Sequence, residues 1–241
     1  MTSLPRAAGA EQMDEPGQDP AELGRSLADL RGVNRWLGGS RVVLRHLGRL
    51  VARHPRPAYR VLDVATGSAD IPLKVAAWAR SKGLRMQITA TDLHATTLDF
   101  ARRQAAADPD VRVEAADAMN LAYADGAFDF VLCSTALHHF DARADLLRVL
   151  SELRRVSAIG GIVNDLRRSR PALVGATLLA ATFWRTHPVT RHDGPLSVRR
   201  AFTPAELDEL ARAAGLPGAR VHRHEPFRVA LVWETEAGAR R

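Results

Sequence analysis

The sequence predicts an α/β fold, a doubly wound and mostly parallel sheet with helices on both faces, and three observations carry that prediction. Short apolar runs, several rich in β-branched residues, recur along the middle of the chain. Stretches with helical periodicity separate them, and the connections between the two are short and rich in Gly, Pro, Asp and Ser. Strands that alternate with helices over short connections pair in parallel, because each helix carries the chain back to the start of the next strand. The length of 241 residues suits one such domain with modest additions, and 46% hydrophobic with 25% charged residues is ordinary for a protein with a sizeable core.

Residues 1 to 20, rich in Gly, Pro, Ala and acidic side chains, predict a disordered leader. From Pro20 onward Leu23, Leu27, Leu30, Leu44, Leu47 and Val51 fall at helical spacing, interrupted by Gly38-Gly39. That predicts two helices joined at Gly38–Ser40, a helical cap over residues 21–57 that Pro55 and Pro57 bring to an end. Strands are expected at Arg60–Val64, Met86–Thr91, Val111–Ala115 and Phe128–Ser134. Helices are expected through Arg80, from Ala95 to Ala107 and from Asp145 to Val156. Gly160-Gly161 reads as a turn before a fifth strand, Ile162–Asp165. An apolar segment, Ala172–Trp184, reads as a buried helix, and His187 and His192 after it as surface-loop residues. Thr203-Pro204-Ala205-Glu206 has the residues of a helix start, with Thr to cap, Pro at the first helical position and Glu to complete a capping box. Arg220–His224 and Arg228–Trp233 read as a closing antiparallel pair.

Bulk properties exclude several function classes. The net charge is +7, but Lys74 and Lys82 are the only lysines among 34 basic residues, and the arginines are spread along the whole chain. Without a compact basic block or interleaved aromatics, no nucleic-acid partner is expected. A single cysteine, Cys133, excludes an internal disulfide and any zinc site of several thiolates. No apolar run has the length of a bilayer crossing or the pattern of a signal peptide, so no transmembrane segment and a cytoplasmic location are expected.

Four stretches carry chemistry. In Val61-Leu62-Asp63-Val64-Ala65-Thr66-Gly67-Ser68-Ala69-Asp70 a strand ends in a turn of small residues that opens a helix, which lets backbone N–H groups approach a ligand. Asp92 closes the next strand at the place where a carboxylate accepts from a ribose diol, although it suits a helix N-cap equally. Asp117 follows the third strand, placed to accept from an adenine amino group while Ala118 or Met119 packs on the base. The fourth, Phe128 to Ser134, runs into Thr135-Ala136-Leu137-His138-His139-Phe140.

In this order LDVATGSAD, TATDLH, AADAMNLAYADGAFDFV, CSTALHHF and LRRVSAIGGIV, the chain resembles class I S-adenosylmethionine-dependent methyltransferases. Within them it is most similar to the branch of ubiquinone/menaquinone-biosynthesis C-methyltransferases and small-molecule O-methyltransferases. The likeness covers roughly residues 60–163, and Asn34-Arg35-Trp36-Leu37-Gly38-Gly39 is more loosely similar to that branch's cofactor-capping helices. It implies a Rossmann-like, seven-stranded sheet with an N-terminal helical cap, and a methyltransferase domain over 58–241 with a substrate-binding insertion at about 166–202. It also implies S-adenosyl-L-methionine as cofactor. By position, Asp63, Ala65 and Gly67 match the turn at the cofactor's amino-acid end; Asp92 with Leu93 matches the ribose site, Asp117 with Ala118 the adenine site, and Ser134 the methionine portion. The family's turns usually carry three glycines, and Ala65 and Ala69 stand at two of those positions, where alanine does not take positive φ cheaply.

Methyl transfer from a sulfonium is an in-line displacement in which holding nucleophile and methyl in near-attack geometry does most of the work. A base is needed only when the acceptor must lose a proton, so the expected catalytic residues rest on place and residue type: His192 and His187 in the insertion, His139 beside His138 after the fourth strand, and Arg168 for an anionic acceptor. An apolar helix beside His, Arg and Asp suits an aromatic or lipid-tailed small molecule, a phenolic, polyketide- or quinone-like metabolite, with O-methylation favoured over C-methylation. No metal is expected, because only Asp165 with Asn164 beside it stands where catechol-type chemistry needs several carboxylates. The alternatives are a fold that binds the cofactor but does other chemistry or none, and a nucleic-acid methyltransferase; a homodimer is compatible with any of them. A nicotinamide enzyme would want G-x-G-x-x-G, and Gly67 is alone in its turn.

Overall fold

The computed structural model describes residues 4–15, 17–216 and 218–235. Its centre is a seven-stranded sheet in the order β3-β2-β1-β4-β5-β7-β6. The strands are β1 (Tyr59–Val64), β2 (Met86–Asp92), β3 (Val111–Ala115), β4 (Phe128–Ser134), β5 (Ser157–Leu166), β6 (Arg220–His224) and β7 (Arg228–Glu234). Strands β1 to β5 pair in parallel, whereas β7 lies antiparallel to both β5 and β6. The order reverses between β1 and β4, and in a sheet of this kind ligands bind at the carboxyl ends of the strands beside that switch point. This is the expected α/β, Rossmann-like architecture.

Because side chains alternate across a strand, β1 sends Val61 to one face and Leu62 and Val64 to the other. The first face is covered by α2 (Gly39–Arg53) and α3 (Asp70–Ser81), through Leu47, Leu50, Ile71 and Val75. The second is covered by α5 (Arg143–Val156) and α8 (Pro204–Ala213), through Leu146, Leu150, Leu153 and Leu207. The capping box at Thr203 and Glu206 is present as expected. α4 (Ala95–Ala105) packs on the β2–β3 edge, and α1 (Pro20–Trp36) touches α2, α4 and α7 (Pro188–Arg200). With α6 (Arg170–Ala181), α7 forms the insertion between β5 and α8.

Three local expectations fail, each for a tertiary reason. Gly160-Gly161 is not a turn but lies inside β5: a Cβ at Gly160 would stand 2.3 Å from the Trp233 carbonyl, and one at Gly161 would stand 2.3 Å from the Trp233 ring. The pair is glycine because β7 crosses too closely for any side chain. The apolar segment Ala172–Trp184 is not one buried helix: α6 buries only its small-residue stripe Ala172, Ala176 and Ala180 and leaves Val174 and Leu178 exposed, and past its end Phe183 is exposed while Trp184 is buried. His187 and His192 are not in a loop; His187 is the N-cap of α7 and His192 lies within that helix. Composition also misjudges residues 4–15. The Ala7 N–H donates to the Arg199 carbonyl at 3.0 Å, and Glu11 is buried against α7 and the 3-10 turn Leu137–His139. No helix among the described residues is long and apolar enough to cross a membrane.

Candidate active site

The turn after β1 brings the backbone close to an open cavity, and it does so with a strained conformation. Ala65, Gly67 and Ala69 all take positive φ (55°, 57° and 59°). Ala65, Ala69 and Thr135 (φ 54°) are the only non-glycine residues with positive φ among those described, and all three belong to this site. A left-handed conformation costs an L-residue about 1–2 kcal/mol, and such strain persists where the surroundings fix it. Here Thr66 N–H donates to the Thr91 carbonyl at 2.8 Å, and Gly67 N–H donates to Asp92 Oδ2 at 2.9 Å. The turn then delivers the first residue of α3, Asp70, to the wall.

The cavity has a volume of about 320 Å³ and is bounded by Ala65 to Ser68, Asp70, Asp92 to His94, Ala116 to Met119 and Ser134 to Ala136. Leu27, Leu30 and Asn34 of α1 close it from above. Ala65, Gly67, Asp92, Leu93, Asp117, Ala118 and Ser134, all singled out in the sequence, meet on this wall. Asp63 does not reach it; it lies buried below the turn with Oδ1 lacking a partner. Asp117 Oδ1 accepts from Met119 N–H at 2.8 Å, which folds Ala118 and Met119 over one end as a flat apolar surface. The carboxylates crowd the other end. Burial, with Asp70 and Asp92 nearby, pushes Asp63 up to about 7, and burial also raises Asp70 and Asp92.

These features fit S-adenosylmethionine. Its ammonium and sulfonium charges offset the repulsion among acids that are costly to bury alone. Asp92 accepts from Gly67 N–H and His94 N–H and keeps further lone pairs for a ribose diol. The buried Ser134 Oγ, at the end of β4, has no partner.

A second, smaller cavity of about 110 Å³ lies against the first, between α1, α6 and α7. Leu30, Val33, Leu37, Leu179 and Trp184 make it mostly apolar, while Glu11, His138, His139, Thr135 and Arg228 gather polar groups at one end. Met13, Leu30, Thr135 and His139 border both cavities and mark the seam between them. Arg228 is fully buried: its guanidinium donates to Thr135 Oγ1 at 2.7 Å and Asn34 Oδ1 at 3.0 Å, and its Nε has no partner. Burial lowers its pKa to about 10, against the raising influence of Asp165 and Asp70.

Of the catalytic candidates, only His139 stands at the seam. His138 borders the second cavity; its Nδ1 lies 2.7 Å from Asp165 Oδ1. Burial opposes charge on His138, but Asp165 and Glu11 outweigh it and raise its pKa to about 10. His187 bonds Asp29 at 2.7 Å and His192 bonds Asp193 at 2.8 Å, and neither borders either of these two cavities. The Arg168 guanidinium holds the Leu4 and Ala201 carbonyls and Glu206, which ties β5 to α8 and leaves its head turned away from both cavities. Sequence reasoning singled out neither Glu11, Asp14 nor Arg228, and quoted Asn34, Asp70 and Thr135 only within longer stretches. The readable signal was charge at strand ends: Asp165 and Arg228 each adjoin an apolar run at the sheet's ligand-binding edge.

Comparison with known proteins places the chain. A model of the family described as a methyltransferase domain matches residues 61–161. The demethylmenaquinone methyltransferase of Deinococcus radiodurans is 36% identical over 196 residues, 76% of each chain. The demethylmenaquinone methyltransferase of Staphylococcus epidermidis is 32% identical over 114 residues, 47% of this chain and 45% of that one, so that match spans about half of each. Among solved structures, an S-adenosylmethionine-dependent methyltransferase from Aquifex aeolicus superposes with a TM-score of 0.60 at 16% identity, covering 90% of this chain and 98% of that one. That last likeness speaks for the fold alone.

Proposed function

The chain belongs to the class I S-adenosylmethionine-dependent methyltransferases, homologous to the demethylmenaquinone methyltransferases, and from that premise we propose that it methylates a small aromatic metabolite, quinone-like or phenolic, seated in the second cavity. The observation that carries this reading is the seam. An apolar slot suited to a flat ring or a lipid tail opens onto the cofactor cavity, with its polar groups gathered at one end. Asp92 and Asp117 hold the cofactor's ribose and adenine, Gly67 and Asp70 face its amino-acid end, and Ser134 and Thr135 stand beside its sulfonium. Asp63 supports the turn from below.

In the reaction the S–CH3 bond breaks with its electron pair remaining on sulfur, and an acceptor lone pair forms the new bond to the methyl carbon. The cavity walls supply orientation and exclude water. A hydroxyl acceptor must also shed its proton, and Asp14, His139, Glu11 and His138 are the ionisable groups gathered where that hydroxyl would sit. That grouping supports oxygen as the first reading of the acceptor atom, with a ring carbon as the second reading, favoured by the D. radiodurans relative's quinone. Arg228, which borders the same cavity, supplies positive charge for an acceptor's carbonyl or phenolate oxygen.

The test is incubation with methyl-labelled S-adenosylmethionine and a panel of naphthoquinols and polyketide-type phenols, with NMR of the product. An O–CH3 or C–CH3 resonance on an aromatic product decides between the two atoms. Transfer to RNA, DNA or protein but to no aromatic small molecule would overturn the reading.

A further inference from the structure

We propose that Glu11, His138 and His139, which all border the second cavity, form a binding site for a divalent transition-metal ion of the zinc type. Their ligand atoms lie within 4.8 Å of one another. His138 Nε2 is 3.4 Å from Glu11 Oε1, and His139 Nε2 is 3.8 Å from Glu11 Oε2. Tetrahedral zinc with bonds of about 2.0–2.1 Å has ligand atoms about 3.3 Å apart, so the two histidine–glutamate spacings already stand near what an ion would impose. They are too far apart to satisfy one another well: the buried Glu11 Oε1 has no hydrogen bond.

The surroundings are those of a ligand set. Each imidazole turns its Nε2 toward Glu11 because its Nδ1 is taken by another carboxylate, His138 by Asp165 at 2.7 Å and His139 by Asp14 at 2.5 Å. A carboxylate behind each histidine fixes the tautomer and ring plane and increases ligand basicity. α7 holds the backbone of both histidines and of the residues on either side of Glu11. The fully buried Arg200 donates to the His138 carbonyl at 3.0 Å, to the His139 carbonyl at 2.7 Å and to the Gly9 carbonyl. Asp193 accepts from Gln12 N–H and Met13 N–H, both at 2.9 Å, and so fixes the segment that carries Glu11.

Two imidazoles and one carboxylate suit zinc and its neighbours better than magnesium or calcium, which prefer oxygen. Three protein ligands leave a fourth position open, the pattern of a catalytic rather than a structural site, and all three residues border the second cavity. A role for the ion in seating an acceptor oxygen rests on the methyl-transfer reading; the binding of the ion does not.

The experiment uses the full chain, stripped with a chelator and dialysed, with zinc uptake measured by equilibrium dialysis and cobalt(II) visible absorption reporting coordination. Wild type is expected to take up one ion per chain with the intense bands of a low-coordinate site. His139→Ala and Glu11→Gln should weaken uptake by about tenfold or more and abolish the bands, a loss at least as large as outer-shell changes produce. His139 is partly exposed, so its variant tests the site even if Glu11→Gln disturbs the fold, which circular dichroism reports. His224→Ala is the control, because His46 and His224 bring their Nε2 atoms within 2.8 Å elsewhere in the molecule. No uptake by wild type, uptake that His139→Ala leaves unchanged, or uptake lost with His224→Ala would each overturn the proposal. Titration of the same metal-free protein with S-adenosylmethionine reports the methyltransferase reading separately.

Discussion

Replacing Ala65 with glycine should stabilise the protein, whereas the same change at a buried alanine with ordinary φ should destabilise it. At Ala65 (φ 55°) glycine relieves about 1–2 kcal/mol of left-handed strain. Against that stand about 0.4–1 kcal/mol of added chain entropy in the unfolded state and roughly half of the ~0.8 kcal/mol of a buried methyl, since Ala65 is half-buried. The balance is a gain of about 0.5 kcal/mol, or roughly 1–2 °C in Tm for a chain of this size. Ala69 (φ 59°) is fully buried, so its methyl is lost entirely and the balance falls near zero. Ala90, fully buried in β2 with no positive φ, has no strain to relieve and should lose about 1.5 kcal/mol, several degrees. Calorimetric melting of the three variants gives the order Ala65→Gly above Ala69→Gly above Ala90→Gly. The reasoning fails if Ala65→Gly melts as low as Ala90→Gly, because the turn would then carry no strain. S-adenosylmethionine affinity of Ala65→Gly should be retained or improved, the family's usual glycine being restored.

Other outcomes follow from packing and charge. Gly161→Ala puts a Cβ 2.3 Å from the Trp233 ring and 2.7 Å from the Val131 carbonyl; it should cost about 3 kcal/mol or more, the upper end for overpacking, read as a lower urea midpoint. Asp63, raised from 3.8 to about 7 by burial, binds its proton more tightly folded than unfolded, so its contribution is present below about pH 4 and lost as pH rises through 7. The stability of wild type minus that of Asp63→Asn should therefore fall across that window, by at most on the order of 4 kcal/mol; a difference independent of pH would show that Asp63 is ionised throughout. Thr203→Ala removes half of the capping box of α8 and should cost about 1 kcal/mol by urea denaturation.

The parallel sheet was legible because its signals are local: apolar runs, small-residue turns and capping residues that decide structure within a few positions. The wall of the first cavity was legible for the same reason, since Gly67, Asp92, Asp117 and Ser134 each sit at or just past the end of a strand. Gly160 and Gly161 misled because their reason is the distant Trp233, and α6 misled because apolar content does not say which face is covered. The second cavity was hardest. Arg228 meets Asn34 across 194 positions and Thr135 across 93, and Glu11 comes from a segment whose composition points to disorder. His192 and Arg168 were selected for residue type, yet they hold Asp193, Glu206 and backbone carbonyls in place. Neither borders either of the two cavities.

The central claim is tested most directly by calorimetric titration of the purified chain with S-adenosylmethionine and S-adenosylhomocysteine, alongside Asp92→Ala. The account predicts one site per chain with micromolar affinity, weakened about tenfold or more by the substitution, equivalent to about 1.4 kcal/mol. Absence of binding to either ligand, or binding that Asp92→Ala leaves untouched, would contradict it.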